Sequence, residues 1–245
     1  MELTINTLKN SINKLGYKWY SDRPNIIGIR TTLQVPDVFN DFLCVVYTQP
    51  AMPAFNSVIE KQQWLNKWGY KGRDGKPLKE DNVAGANTNF ALSKCNECAG
   101  REKQNIYVIT TDPGVYYQNI RLLSSKGCAV IKPGQYINCY QLGTHKKPDH
   151  KALIQTGGQI TVYRDNDRDG IAESLGVEET GFFGCNIHEA KRLAKTEKIG
   201  AYSAGCQVFE DWFKKEEFMG LCENFKTITG NKFTYTLIKE EDLKN

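Results

Sequence analysis

The residues of this chain best suited to chemistry lie between Gly181 and Phe209, in GFFGCNIHEAKRLAKTEKIGAYSAGCQVF. The stretch holds His188 and ends in the turn Ser203-Ala204-Gly205-Cys206. A glycine beside a cysteine lets the backbone bend without a Cβ clash and leaves main-chain amides to face a developing oxyanion. A thiol attacks as thiolate, so Cys206 needs a neighbouring base. His188 is the candidate. The separation of 18 positions exceeds one helix face but suits a loop joining two strands.

These residues carry a resemblance. The pattern His188 … Ser203-Ala204-Gly205-Cys206 resembles the signature of the L,D-transpeptidase catalytic domain, a His followed by Ser-His-Gly-Cys and often x-Arg. The upstream Thr110-Thr111-Asp112-Pro113-Gly114 resembles that family's Thr-Pro-x-Gly segment. Ala204 stands in place of the motif's second His, and Val208 in place of its Arg. The likeness spans roughly residues 104 to 210.

The resemblance implies a cysteine acyltransferase or peptidase acting on peptidoglycan stem peptides through a Cys206 thioester. His188 would take the thiol proton and form a thiolate–imidazolium pair, oriented by the carbonyl of Glu189. Amides around Gly205 and Cys206 would hold the oxyanion, and Ser203 would hydrogen-bond within the turn. His145, Tyr202, Ala204 and Glu189 would line the substrate pocket. This chemistry requires no metal and no cofactor. Water or an amine resolving the thioester separates a hydrolase from a transpeptidase.

Two readings of other classes compete. His145, His150 and His188 are the only histidines, and three of them, or two with Cys185, would suit a zinc amidase or peptidase. The segment from Gly143 to His150 lacks the His-x-x-x-His spacing that places two ligands on one helix face. The other reading is a non-catalytic wall-binding or virion protein with a relict core. Papain-like enzymes place their Cys ahead of the His, the reverse of this order.

Two smaller motifs carry weaker signals. Asp165-Asn166-Asp167-Arg168-Asp169-Gly170 opens like a calcium loop, but its twelfth position is Gly176 where Glu is required. A polar turn explains it more simply. Cys95-Asn96-Glu97-Cys98 is a CxxC without a second pair close by.

Composition sets the outer bounds. The 245 residues suffice for a sizeable core. A net charge of +4, with Lys and Arg interleaved with acids, gives no basic stripe for nucleic acid. No apolar run approaches a membrane span, and the acid at position 2 with no apolar run behind it does not read as a secretory signal. Synthesis in the cytoplasm and action at the cell wall or periplasm would then require lysis, injection or a dedicated secretion route. Eight cysteines are too sparse for a disulfide scaffold at this length.

The elements that must position the site read as α+β. Leu3, Ile5, Leu8, Ile12 and Leu15 predict an amphipathic helix. Runs 25–32, 41–48, 106–111, 128–131, 135–142, 152–155, 159–164 and 233–238 predict strands, and 209–221 a helix. Trp64 and Trp68 share a helical face. Gly157-Gly158 predicts a hairpin between two of the strands. The expected architecture is a β-rich L,D-transpeptidase-like core, a β-sandwich or curled mixed sheet with short flanking helices, over residues 101–245. Residues 1–100 would form an α+β region packed on it.

Overall fold

The structure is a computed structural model that describes every residue except 1, 34, 146–148, 174–175 and 245. It is mixed α and β. Eight strands close on themselves: β1 (Asn25–Arg30), β2 (Asp41–Thr48), β3 (Glu102–Thr110), β5 (Gly134–His145), β6 (His150–Gln155), β9 (Ile187–Glu189), β10 (Gln207–Phe209) and β11 (Phe233–Lys239). Their order around the barrel is β1-β11-β5-β6-β9-β10-β3-β2. The pairs β1/β11 and β9/β10 are parallel. A second sheet has the order β4-β7-β8, from Cys128–Ile131, Ile160–Asp165 and Val177–Gly181. The curled mixed sheet is thus observed, closed to a barrel.

The chain forms two compact units. One comprises residues 1–20, 24–46 and 104–245, the other 21–23 and 47–103. The sequence reading set a boundary at residues 100/101; the compact units meet at 46/47 and 103/104. Strands β1 and β2 cannot be set apart from the barrel, because β1 takes its ladder bonds from β11, whose paired residues lie 209 positions away in sequence, as well as from β2. Helix α1 (Ile5–Lys14) buries Leu8 and Ile12 against Ile27, Ile29, Val46 and Ile238 of that barrel. Thr4 caps it, accepting from the Thr7 amide as an N-cap hydroxyl should.

The second unit packs α2 (Val58–Lys67) and α3 (Ala86–Cys98) around Leu65, Tyr70, Leu78, Ala91 and Cys95. Ser57 and Glu60 form a capping box at the start of α2. Trp64 and Trp68 lie 5.7 Å apart, as their four-residue spacing predicts. Cys95 is a buried core residue, and Cys98 ends the helix.

Two predicted elements are corrected. Gly157-Gly158 does not close a hairpin: β6 pairs with β5 and β9, while β7 pairs with β4 and β8, so the glycines carry the chain from one sheet to the other. A Cβ on Gly157 would meet the Asn138 carbonyl at 2.1 Å. The helix expected over 209–221 is α4, Trp212–Thr229. Phe209 belongs to β10, Asp211 accepts from the Phe213 and Lys214 amides as N-cap, and Gly230 at φ 82° ends the helix.

One buried cluster ties the upstream motif to the barrel. Arg30 Nε donates to Thr111 Oγ1 at 2.9 Å, and its Nη1 to the Ile131 carbonyl at 3.0 Å. Asp41 Oδ2 accepts from the Thr111 amide and hydroxyl at 2.7 and 2.8 Å. The segment Thr110–Gly114 therefore leaves β3 along a fixed path.

Among the described residues no helix is long and apolar enough to cross a membrane.

Candidate functional site

The Ser203–Cys206 turn is held from three sides. Ser203, fully buried, donates its hydroxyl to the Cys206 carbonyl at 2.8 Å and accepts from the Gly205 amide at 3.2 Å. The predicted role of Ser203 within the turn is observed. Gly205 adopts φ +125°, and a Cβ there would stand 2.3 Å from the Ala129 carbonyl of β4. Only glycine fits. The Gly114 amide donates to the Ser203 carbonyl at 2.9 Å, joining the Thr110–Gly114 segment to the turn. One expectation changes: the Gly205 amide is occupied by Ser203 and is not available to an oxyanion.

Cys206 leads directly into β10, whose Val208 pairs with His188 of β9 in parallel register. Side chains alternate along a strand, so Cys206 projects from the face of Val208, which is the face of His188. Both residues line one cavity of about 730 Å³, with Tyr202, Ala204, His145 and Glu189 also in its wall. The sequence-predicted pocket residues are thus brought together.

His188 is buried, and its Nδ1–H donates to the Glu189 carbonyl at 2.7 Å. This fixes the tautomer: the proton sits on Nδ1, and Nε2 carries a lone pair with no hydrogen-bond partner. Burial, followed by the nearby His145, pushes the imidazole down to about 3. Cys206 keeps partial exposure, and its thiol donates to the Gly184 carbonyl at 3.5 Å. Burial of the sulfur pushes it up to about 11, opposed by a main-chain contact from Asn186. Within the one cavity that both line, a neutral imidazole and a neutral thiol are the states these surroundings favour. The expected preformed thiolate–imidazolium pair is not supported, because both shifts penalise the charged forms.

The three histidines form a cluster. His145 stacks on His188 with ring centroids 4.3 Å apart and planes 18° from parallel; His150 lies 5.1 Å from His145 and 5.5 Å from His188. His145 and His150 sit opposite each other on β5 and β6. Stacked rings do not aim their nitrogens at a common point, and ligation needs that convergence. Among the described residues, neither these histidines nor Cys185 belongs to a set of three ligand atoms close enough to share a metal; Asp167, Asp169 and Glu173 form the one such set. Asp165 stands outside it, buried, its Oδ2 accepting from the Glu173 amide at 3.3 Å. The Asp167 and Asp169 carboxylates accept from the Asp169 and Ile171 amides at 3.1 and 2.7 Å, so the segment is a turn organised by its own side chains.

Two residues of the site escaped the sequence reading. Asn186 Nδ2 lies 2.9 Å from His145 Nδ1. Its position two residues before His188, immediately ahead of β9, was the available signal, since residues two apart in extended chain share a face. Lys215 of α4, almost fully buried, lies 2.9 Å from Glu189 Oε2. A lysine in a helix otherwise rich in charge gives no signal of burial.

Neither a family model, nor a curated protein, nor a solved structure matches this chain.

Proposed function

We propose that this chain is a cysteine acyltransferase or peptidase with Cys206 as nucleophile and His188 as base. The observation that carries the reading is His188 itself: Nδ1 is tied to the Glu189 carbonyl, and the unpartnered Nε2 belongs to a residue lining the cavity that holds Cys206. A fixed tautomer with a free acceptor is what a general base requires.

The mechanism follows from these protonation states. Sγ attacks a carbonyl carbon as the thiol proton passes to His188 Nε2, so both charges arise together in the transition state. The Nδ1–H···O bond to Glu189 strengthens as the ring becomes cationic. The Cys206 amide, which is not the one that donates to the Ser203 hydroxyl, meets the oxyanion. The amine leaves with the proton from Nε2, and a thioester remains. Water or an amine then attacks it, returning the proton to sulfur through His188.

The substrate class rests on the resemblance of His188 … Ser203-x-Gly205-Cys206 to the L,D-transpeptidases, which directs the reading to peptidoglycan stem peptides at the cell wall. Intact-protein mass spectrometry after incubation with muropeptides tests it. A covalent adduct on the wild type, absent from Cys206→Ala, is the expected result. Equal turnover by both proteins with no adduct would overturn it.

A further inference from the structure

The turn that presents Cys206 is short of a donor. Gly205, the amide expected to share the oxyanion with that of Cys206, already donates to Ser203 Oγ at 3.2 Å. A tetrahedral intermediate in a partly enclosed cavity needs more than one N–H at its oxygen, since each such donor contributes about 10²–10³ in rate. A side chain in the same wall can supply the second donor.

His145 has the required chemistry, fixed by a chain of hydrogen bonds. The Gln155 amide donates to Asn186 Oδ1 at 2.9 Å, which settles which end of the Asn186 side chain is oxygen. The other end, Nδ2, therefore faces His145 Nδ1 at 2.9 Å as a donor. Nδ1 must accept, so the proton of neutral His145 resides on Nε2. The two stacked rings thus hold opposite tautomers: His188 is protonated on Nδ1 and offers a lone pair at Nε2, and His145 is protonated on Nε2 and offers a hydrogen.

Position agrees with chemistry. The Asn186 carbonyl accepts from the Gln207 amide at 2.8 Å, which sets Asn186 beside Cys206 at the start of the β9/β10 pair. His145 hangs on that asparagine, stacks on the base and lines the cavity that holds the thiol. We propose that His145 is a catalytic residue, its neutral Nε2–H the second oxyanion donor, with Asn186 as the positioning residue that fixes its tautomer. Burial and the neighbouring His150 hold the His145 imidazole below its ordinary range, so it stays a neutral donor at neutral pH.

This inference rests on the Cys206–His188 reading, and two reagents separate the two. Iodoacetamide alkylates a thiol without forming an oxyanion. p-Nitrophenyl acetate acylates it through one: the S–C bond forms, the C–O bond to nitrophenolate breaks, and the thiol proton goes to His188 Nε2. In His145→Phe, the acylation burst should slow about 100-fold while alkylation of Cys206 stays within a few-fold of wild type. His145→Gln, with an amide N–H, should recover part of the burst. In the wild-type protein, 15N NMR should show His145 protonated at Nε2 and bare at Nδ1, a readout that needs no variant to fold. An undiminished burst in His145→Phe, a parallel loss of alkylation and acylation, or a proton on Nδ1 would each overturn the assignment. A burst that persists in Cys206→Ala would instead remove the nucleophile reading, and this one with it.

Discussion

Lys215 Nζ lies 2.9 Å from Glu189 Oε2, and both side chains are withdrawn from solvent, at 1% and 3% exposure. The same glutamate holds His188 through its main-chain carbonyl, and its carboxylate lies 3.4 Å from His150 Nε2. An ion pair buried behind a base is costly to desolvate, so its loss on one side leaves an uncompensated charge. Lys215→Met should destabilise the protein by about 3–5 kcal/mol in urea unfolding. The double variant Lys215→Met/Glu189→Gln should recover much of that loss. Additive losses in the double variant would show that the two charges are not coupled.

The thiol should titrate late. With Cys206 pushed up to about 11, its alkylation by iodoacetamide should rise about tenfold per pH unit between roughly pH 7 and 9, without a plateau. Of the eight cysteines, Cys98 and Cys206 alone are not buried, so these two should label first. A plateau for Cys206 below about pH 8 would reveal a thiolate–imidazolium pair.

Acid should destabilise the fold through His188. Its folded value of about 3 lies below the ordinary 6.5, so the unfolded chain takes up a proton first as pH falls. The stability associated with the neutral ring is complete above 6.5 and is lost progressively down to about 3. The full loss is on the order of 5 kcal/mol at about 1.4 kcal/mol per unit. Urea unfolding of His188→Gln between those limits should show a flatter pH dependence than wild type; equal slopes would exclude His188 as the source.

Gly205→Ala should disable the turn. The new Cβ would meet the Ala129 carbonyl at 2.3 Å, with φ at +125° where alanine is strained. We expect a loss of about 1–3 kcal/mol from strain, more if β4 cannot move, and slower acylation of Cys206. Gly184→Ala is the control: its φ of 71° carries the strain, but its added Cβ meets nothing. Unfolding midpoints of the two variants measure the difference.

What the sequence determined by itself was local. Strands Asp41–Thr48 and Cys128–Ile131 followed from β-branched and aromatic runs, and helix α1 from its apolar spacing. The Ser-x-Gly-Cys turn was legible because it involves neighbours in the chain, and the Glu189 carbonyl beside His188 was what the family resemblance implied. Tertiary structure decided the rest. Strands β9 and β10, three residues each, are too short to show a period, yet their parallel register brings Cys206 and His188 to one face. Gly157-Gly158 looked like a hairpin because turn chemistry does not reveal which sheet the next strand joins. The partnerships of Asn186 with His145 and of Lys215 with Glu189 join residues 41 and 26 apart. No local pattern encodes them, because they exist only once barrel closure and the docking of α4 have brought those side chains together.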